Sequence, residues 1–210
     1  MKPALLLLFT TLLLCIPLSG LARTCTYSSY KWNTIDRKAV DYHRVEKLYS
    51  ELSEAEIDPL TGCSVCEQDQ VDIQIGNLAP IKVCYVIAED VSRVLLKSLG
   101  AGQVIVELES YRVGLTRGKV DAEGNRTQFS NHSFGTAIDI NASFNGLYDN
   151  CFSFSINCRL IKGGQWDPGQ AESLHAGSLL VELMLEIGLQ RGGKIAGKQK
   201  DFMHFSLTGY

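Results

Sequence analysis

Six cysteines constrain this chain more than any other feature, and they emerge only after its first residues are set aside. Residues 1–22, MKPALLLLFTTLLLCIPLSGLA, carry one lysine, an apolar run over residues 4–16, a breaker at Pro17 and small residues at Gly20 and Ala22. That is the grammar of a secretory signal peptide cleaved after Ala22. The run is shorter than the roughly 20 residues that span a bilayer. Cys15 follows the bulky Leu14, where a lipid-modified cysteine would need a small neighbour, and no later apolar segment has spanning length. Cleavage removes Cys15 and leaves Cys25, Cys63, Cys66, Cys84, Cys151 and Cys158. An even set in an exported chain predicts up to three disulfides and a secreted or periplasmic location. Six cysteines allow 15 pairings; the spacing singles out Cys151 with Cys158, closing CFSFSINC. Cys63 and Cys66 form a CxxC, but with no second CxxC a structural role is favoured over a redox pair or a zinc knuckle.

About 188 residues remain after cleavage, enough for one well-buried core. They divide into a cysteine-rich region, 23–100, packed on or extending the core, and a core region, 101–210. With 20 Lys+Arg against 23 Asp+Glu, nothing points to nucleic acid or an anionic membrane as partner. Oligomeric state is not legible.

Asn33 and Thr34 predict the cap of an amphipathic helix carrying Val40, Val45, Leu48, Tyr49 and Leu52 and ending before Asp58-Pro59. Residues 81–87 read as a buried strand or helix start, followed by a helix through Val91 to Leu99 that Gly100 and Gly102 stop. QVIVELESY, residues 103–111, alternates as a buried strand does, and RGKVDAEGNRTQ reads as a loop. Asp167-Pro168 opens a helix with Leu174, Val181, Met184, Leu185 and Ile187 on one stripe, closed by Gly188. RGGKIAGKQK is a second loop before a last strand, DFMHFSL. Strands and helices alternate irregularly, which predicts an α+β domain with a mainly antiparallel sheet and flanking helices.

Two of these strands carry chemistry. In SNHSFGTAIDIN, residues 130–141, Ile138 and Ile140 point to the core, while Ala137, Asp139 and Asn141 share the other face. His132 precedes Gly135, where the chain bends the imidazole back toward Asp139. In the last strand Met203, Phe205 and Leu207 face inward and His204 shares the polar face with Ser206. Two His and one Asp are three ligands of the kind Zn²⁺ accepts, and they leave a fourth tetrahedral position open, the arrangement of catalytic rather than structural zinc. Asp201, three residues before His204, is a candidate proton carrier. His43 and His175 fall in helix readings that suggest no shared metal-binding face.

SNHSFGTAIDIN resembles the SxHxxGxAxD motif of the zinc D-Ala-D-Ala carboxypeptidases, DFMHF resembles that family's second motif, and ESYRVG is similar to its SGYR segment. The three occur in the family's order. The resemblance implies an α+β zinc fold related to lysostaphin and the hedgehog signalling domain, one zinc held by His132, Asp139 and His204, Asp201 as general base, Arg112 as the arginine that stabilises the transition state, and Ser130 near the site or substrate. It implies hydrolysis of peptidoglycan stem peptides, by D,D-carboxypeptidase or L-Ala-D-Glu-type endopeptidase action. Where relatives commonly show tryptophans around the last GG, this chain has Arg191 and Ile195. GGKIAGK nearly completes a phosphate-binding loop, but Gln199 replaces its hydroxyl residue. Sequons at Asn125, Asn131 and Asn141 fit a bacterial host, because glycans on two of them would block the site. The rival readings are a non-catalytic zinc-fold protein of the cell envelope and a disulfide-stapled interaction protein without metal.

Overall fold

Residues 24–48 form a hairpin where a helix is expected. The computed structural model describes residues 23–210, so the expected signal peptide, 1–22, lies outside the described residues. β1 (Thr24–Asn33) pairs antiparallel with β2 (Lys38–Leu48). Asn33 does act as a cap, but of a turn: its Oδ1 accepts hydrogen bonds from the backbone N–H of Ile35 (3.0 Å) and Asp36 (2.8 Å). That side-chain geometry serves turns and helix starts alike. A register irregularity opposite Tyr30, with Asp41 at φ +57°, breaks the alternation of β2 and hides it from a sequence reading. His43 therefore lies on a strand, and His175 lies in a turn.

β3 (Gln70–Ile73) and β4 (Ile81–Cys84) form a ribbon that leads into α1 (Ala88–Gly100). The strand expected over 103–111 shrinks to β5 (Leu108–Glu109). Before it, the Asn141 side chain takes the place of a neighbouring strand, accepting from Val106 N–H and donating to the Val104 carbonyl, each at 2.8 Å. The expected polar loop is a second hairpin, β6 (Leu115–Val120) and β7 (Arg126–Phe129). Asp121 holds its turn by accepting from Glu123 and Asn125 N–H. β8 (Ala137–Ile140), β9 (Leu147–Asp149) and β10 (Arg159–Lys162) follow. α2 (Leu179–Glu186) starts only after Ser178, because residues 167–178 are turns. β11 (Gln190–Arg191), β12 (Lys200–Asp201) and β13 (His204–Ser206) end the chain, so the last predicted strand is broken at Phe202 and Met203.

The architecture is α+β, with two helices among the described residues and sheets ordered β2-β1-β6-β7, β10-β9-β12, β11-β13-β8-β5 and β3-β4. All pairings are antiparallel except β1 with β6. Ile138, Ile140 and Phe205 join α1 and α2 in the main core through Val91, Leu95, Leu180 and Met184, which fixes one face of β8 and β13 and leaves the other for the site. No helix among the described residues is long and apolar enough to cross a membrane.

A second core is built around disulfides. Cys25–Cys66 and Cys63–Cys84 lie among Tyr27, Val65, Val113 and Phe134, and Cys151–Cys158 closes the predicted loop. The CxxC cysteines thus pair outward and not with each other. Replacing Cys63 and Cys84 together by Ala should lower unfolding stability by about 3 kcal/mol, the loop-closure value for a crosslink of this span; a denaturant titration of the pair variant checks it.

Beneath this core, Glu56 is buried yet accepts from Tyr27 Oη (2.5 Å), Lys47 Nζ (2.7 Å) and Ser53. Burial opposes its charge, and these partners outweigh burial and hold its carboxyl down at about 2, against an ordinary 4.5. A depressed folded-state pKa stabilises the fold above the unfolded value and loses that contribution as pH falls from about 4.5 through about 2. Acid titration of Glu56→Gln should therefore show a shallower loss of stability across that window than the parent.

Candidate metal centre

The turn that carries His132 is shaped by what lies behind it. Asn131–Phe134 form one 3-10 turn, and Gly135 closes it at φ +65° with its N–H donating to the His132 carbonyl (3.1 Å). Any Cβ at Gly135 would stand 1.9 Å from Gln70 Oε1 and 2.7 Å from the Cys84 backbone nitrogen, so only glycine fits. Phe134 enters the disulfide core. His132 is thereby turned toward β8, where Asp139 projects from the face opposite Ile138 and Ile140.

Register supplies the third group. β13 pairs with β8 so that His204 stands directly opposite Asp139, and directly opposed residues share a face. His132 Nε2, His204 Nδ1 and Asp139 Oδ1 form a triangle with sides of 3.1, 3.0 and 3.1 Å, and all three side chains are buried. Ligand atoms about 2.0–2.1 Å from a tetrahedral zinc lie about 3.3 Å apart, close to this triangle.

The partners of the outer nitrogens fix the tautomers. His132 Nδ1–H donates to the Ser110 carbonyl (2.9 Å), which leaves a lone pair on Nε2. Ser206 donates its hydroxyl proton to the Tyr210 carbonyl (3.1 Å), so its oxygen accepts from His204 Nε2–H (3.1 Å) and leaves a lone pair on Nδ1. Two lone pairs and a carboxylate oxygen then face one another inside the protein. Such an array is satisfied by a cation, and the outer hydrogen bonds are of the kind that orient metal-bound histidines. The group fits a metal of the zinc type by donor chemistry, spacing and orientation.

The close packing of two imidazoles and one carboxylate shifts all three groups. Burial pushes the His132 imidazole down, against the pull of Asp139. Burial also opposes charge on His204, but the Asp139 carboxylate outweighs it and leaves that imidazole raised. Asp139 is itself held well below the usual carboxylate range, the two histidines overcoming its burial.

Arg112 and Asp201 border the same cleft of about 650 Å³, as do Ser130, His132 and His204. Arg112 Nη2 donates to Asp139 Oδ2 (3.2 Å), so the carboxylate is shared between the metal triangle and the guanidinium. Its Nη1 is buried 3.4 Å from Glu109 Oε1 without a hydrogen bond among the described residues. Asp201 Oδ1 is likewise buried without a hydrogen-bond partner among the described residues. Burial raises that carboxyl to about 6.

Residues 123–207 match the D-alanyl-D-alanine carboxypeptidase family model. The matched segment takes in His132, Asp139, Asp201 and His204 and leaves Arg112 just upstream. No curated protein and no solved structure gives a significant match to the chain.

The six residues named from the sequence come together at the ligand triangle and the cleft beside it. Sequence reasoning missed Tyr30, Trp32, Arg117 and Lys162, which line the same cleft. Tyr30 and Trp32 were legible as alternate residues of a strand, had residues 24–33 been read as one. Arg191 and Ile195, where the resemblance leads one to expect tryptophans, part company. Ile195 lines the cleft, whereas Arg191 is buried under Phe202 (5.0 Å) and donates to the Phe202 carbonyl (3.2 Å). Asn141, the acceptor residue of the third sequon, is fully buried, and its amide is committed to the bonds that replace a strand.

Proposed function

We propose that the chain is an exported zinc peptidase that hydrolyses the stem peptides of bacterial peptidoglycan, by D,D-carboxypeptidase or L-Ala-D-Glu-type endopeptidase action. The carboxypeptidase-family match supports the substrate class, and the disulfides support export. The single observation that carries the reading is the triangle of ligand atoms with fixed tautomers beside an unpartnered, buried Asp201 carboxylate. On this reading the α+β core is the family's hedgehog-type zinc fold, and residues 23–100 are a cysteine-rich extension of it.

His132, Asp139 and His204 would hold one zinc. Bound there, zinc supplies Lewis-acid polarisation of the scissile carbonyl and activation of water. Asp201, as its carboxylate, takes the proton from the attacking water as the new C–O bond forms. It returns a proton to the leaving amine as the C–N bond breaks. A pKa near the working pH suits both halves of that task. The Nη1 donor of Arg112 would stabilise the developing oxyanion, and its Nη2 keeps Asp139 oriented. Ser130 offers its hydroxyl to the substrate backbone. Arg117 and Lys162 in the cleft wall favour a peptide bearing free carboxylates.

The test is to express the chain with its disulfides formed, measure bound zinc, and follow purified stem peptides by mass. We expect about one zinc per chain and loss of a terminal D-Ala or of a larger fragment, the product mass selecting the reaction. Zinc without cleavage would assign a non-catalytic binding module of the cell envelope, and a chain that takes no zinc would overturn the metal centre itself.

A further inference from the structure

A second cavity, of about 560 Å³, opens beside the cleft and is lined by none of the three ligand residues. Tyr30 and Arg112 belong to both walls. The rest of its lining includes the rings of Tyr42 and Tyr111, the imidazole of His43 and the hydroxyl of Ser28. A molecule lying in the cleft over the metal centre can therefore continue past Tyr30 into this space.

The β1–β2 hairpin is shaped to form this cavity. β2 bulges opposite Tyr30, with Asp41 in the left-handed region at φ +57°. Bulges re-aim side chains, and this one is braced from two sides: Lys31 Nζ pairs with Asp41 Oδ2 (2.8 Å), and His43 Nδ1–H donates to the Asp41 carbonyl (2.8 Å). The result is that the Tyr42 ring stands 5.6 Å from the Tyr30 ring, tilted by 32°, while remaining 73% exposed. Tyr111 is anchored by its hydroxyl on the Val65 carbonyl (2.7 Å), so its ring is fixed in the wall.

Fixed aromatic faces beside hydroxyl, imidazole and guanidinium groups match a ligand with an apolar face and a polar rim. A pyranose ring has that form: C–H bonds cover its faces and hydroxyls its edge. A peptidoglycan stem peptide is joined at its N-terminus to such a ring. We propose that the second cavity is a subsite for the amino sugar that carries the stem peptide, so that the glycan-attached peptide is the preferred substrate. The inference rests on the peptidase reading for its substrate and on the hairpin for its site.

Two measurements separate the sugar subsite from the peptidase reading. The first is binding of the free wall disaccharide, N-acetylglucosaminyl-N-acetylmuramic acid, to the full disulfide-bonded chain by saturation-transfer NMR. Binding is expected, and Tyr42→Ala, a change at an exposed ring, should weaken it by about tenfold, the factor that 1.4 kcal/mol represents. The second compares kcat/KM for one stem peptide with and without its sugar. A preference of about tenfold for the glycopeptide is expected, and the ratio should fall toward one in Tyr42→Ala. Disaccharide binding with neither substrate cleaved would leave the subsite standing and defeat the peptidase reading. Equal kcat/KM for the two substrates, no disaccharide binding, or a gain from lengthening the bare peptide and none from the sugar would overturn the subsite.

Discussion

Replacing Asp201 by Asn should lower kcat by about 10²–10⁴-fold, the usual contribution of a positioned general acid–base group, while bound zinc stays at the parent level. Both halves follow from where Asp201 sits. It is outside the triangle of ligand atoms, so the substitution removes no metal ligand. Its Oδ1 is buried without a partner among the described residues, so the amide keeps the volume and loses the capacity to take a proton. The pH profile carries a linked expectation. A base works only when ionised, so kcat/KM should fall on the acid side as Asp201 takes up its proton. Burial raises that carboxyl to about 6 in the metal-free protein, and a bound cation adds only to the forces that keep it ionised. The apparent pKa of the acid limb is therefore expected at or below about 6, and it should vanish from the residual activity of Asp201→Asn. Full turnover in that variant would remove Asp201 from the mechanism.

His204→Ala should abolish both zinc retention and turnover. The substitution deletes one corner of the triangle and leaves His132 and Asp139 as a two-ligand site. Loss of an outer partner alone typically weakens metal binding by about 10–100-fold; loss of a ligand should exceed that. Ser206→Ala provides the graded comparison, since it removes only the acceptor that fixes the His204 tautomer. Ligand linkage gives a readout independent of activity: a metal that binds only the folded chain raises its melting temperature. Added zinc should raise Tm strongly in the parent, less in Ser206→Ala, and not in His204→Ala. An equal shift in all three would place the metal elsewhere.

The grouping of His132, Asp139 and His204 was readable because its determinants are local and periodic. Alternation in AIDI and in HFS assigns Asp139 and His204 to a face away from the core, and β8 and β13 form as that alternation demands. A glycine three residues after His132 gives the turn, and α1 followed from ordinary helix spacing and its glycine stop. The hairpins were lost for two reasons. In β2 the bulge at Asp41 shifts the pattern midway, so Val40, Val45 and Leu48 mimic helical spacing. In β6 and β7 neither face is fully buried, so polar residues stand on both sides and period two never shows. The strand expected over residues 103–111 failed because its partner is the amide of Asn141, not a backbone. No pattern of hydrophobicity records that kind of partner. Two of the three disulfides were equally hidden, since the pairings Cys25–Cys66 and Cys63–Cys84 depend on how β1, β4 and the segment between them meet.

The packing of Phe134 against those two disulfides has a consequence for when the protein becomes competent. Gly135 accepts a hydrogen bond from Cys84 N–H (2.9 Å), and Phe134, two residues from the first histidine, rests on the same cystines. A chain whose thiols are still reduced lacks the two crosslinks within this backing surface. On the exported-peptidase reading, pairing of the cysteines would act as a maturation step, because the two crosslinks lie in the surface that backs the turn carrying His132.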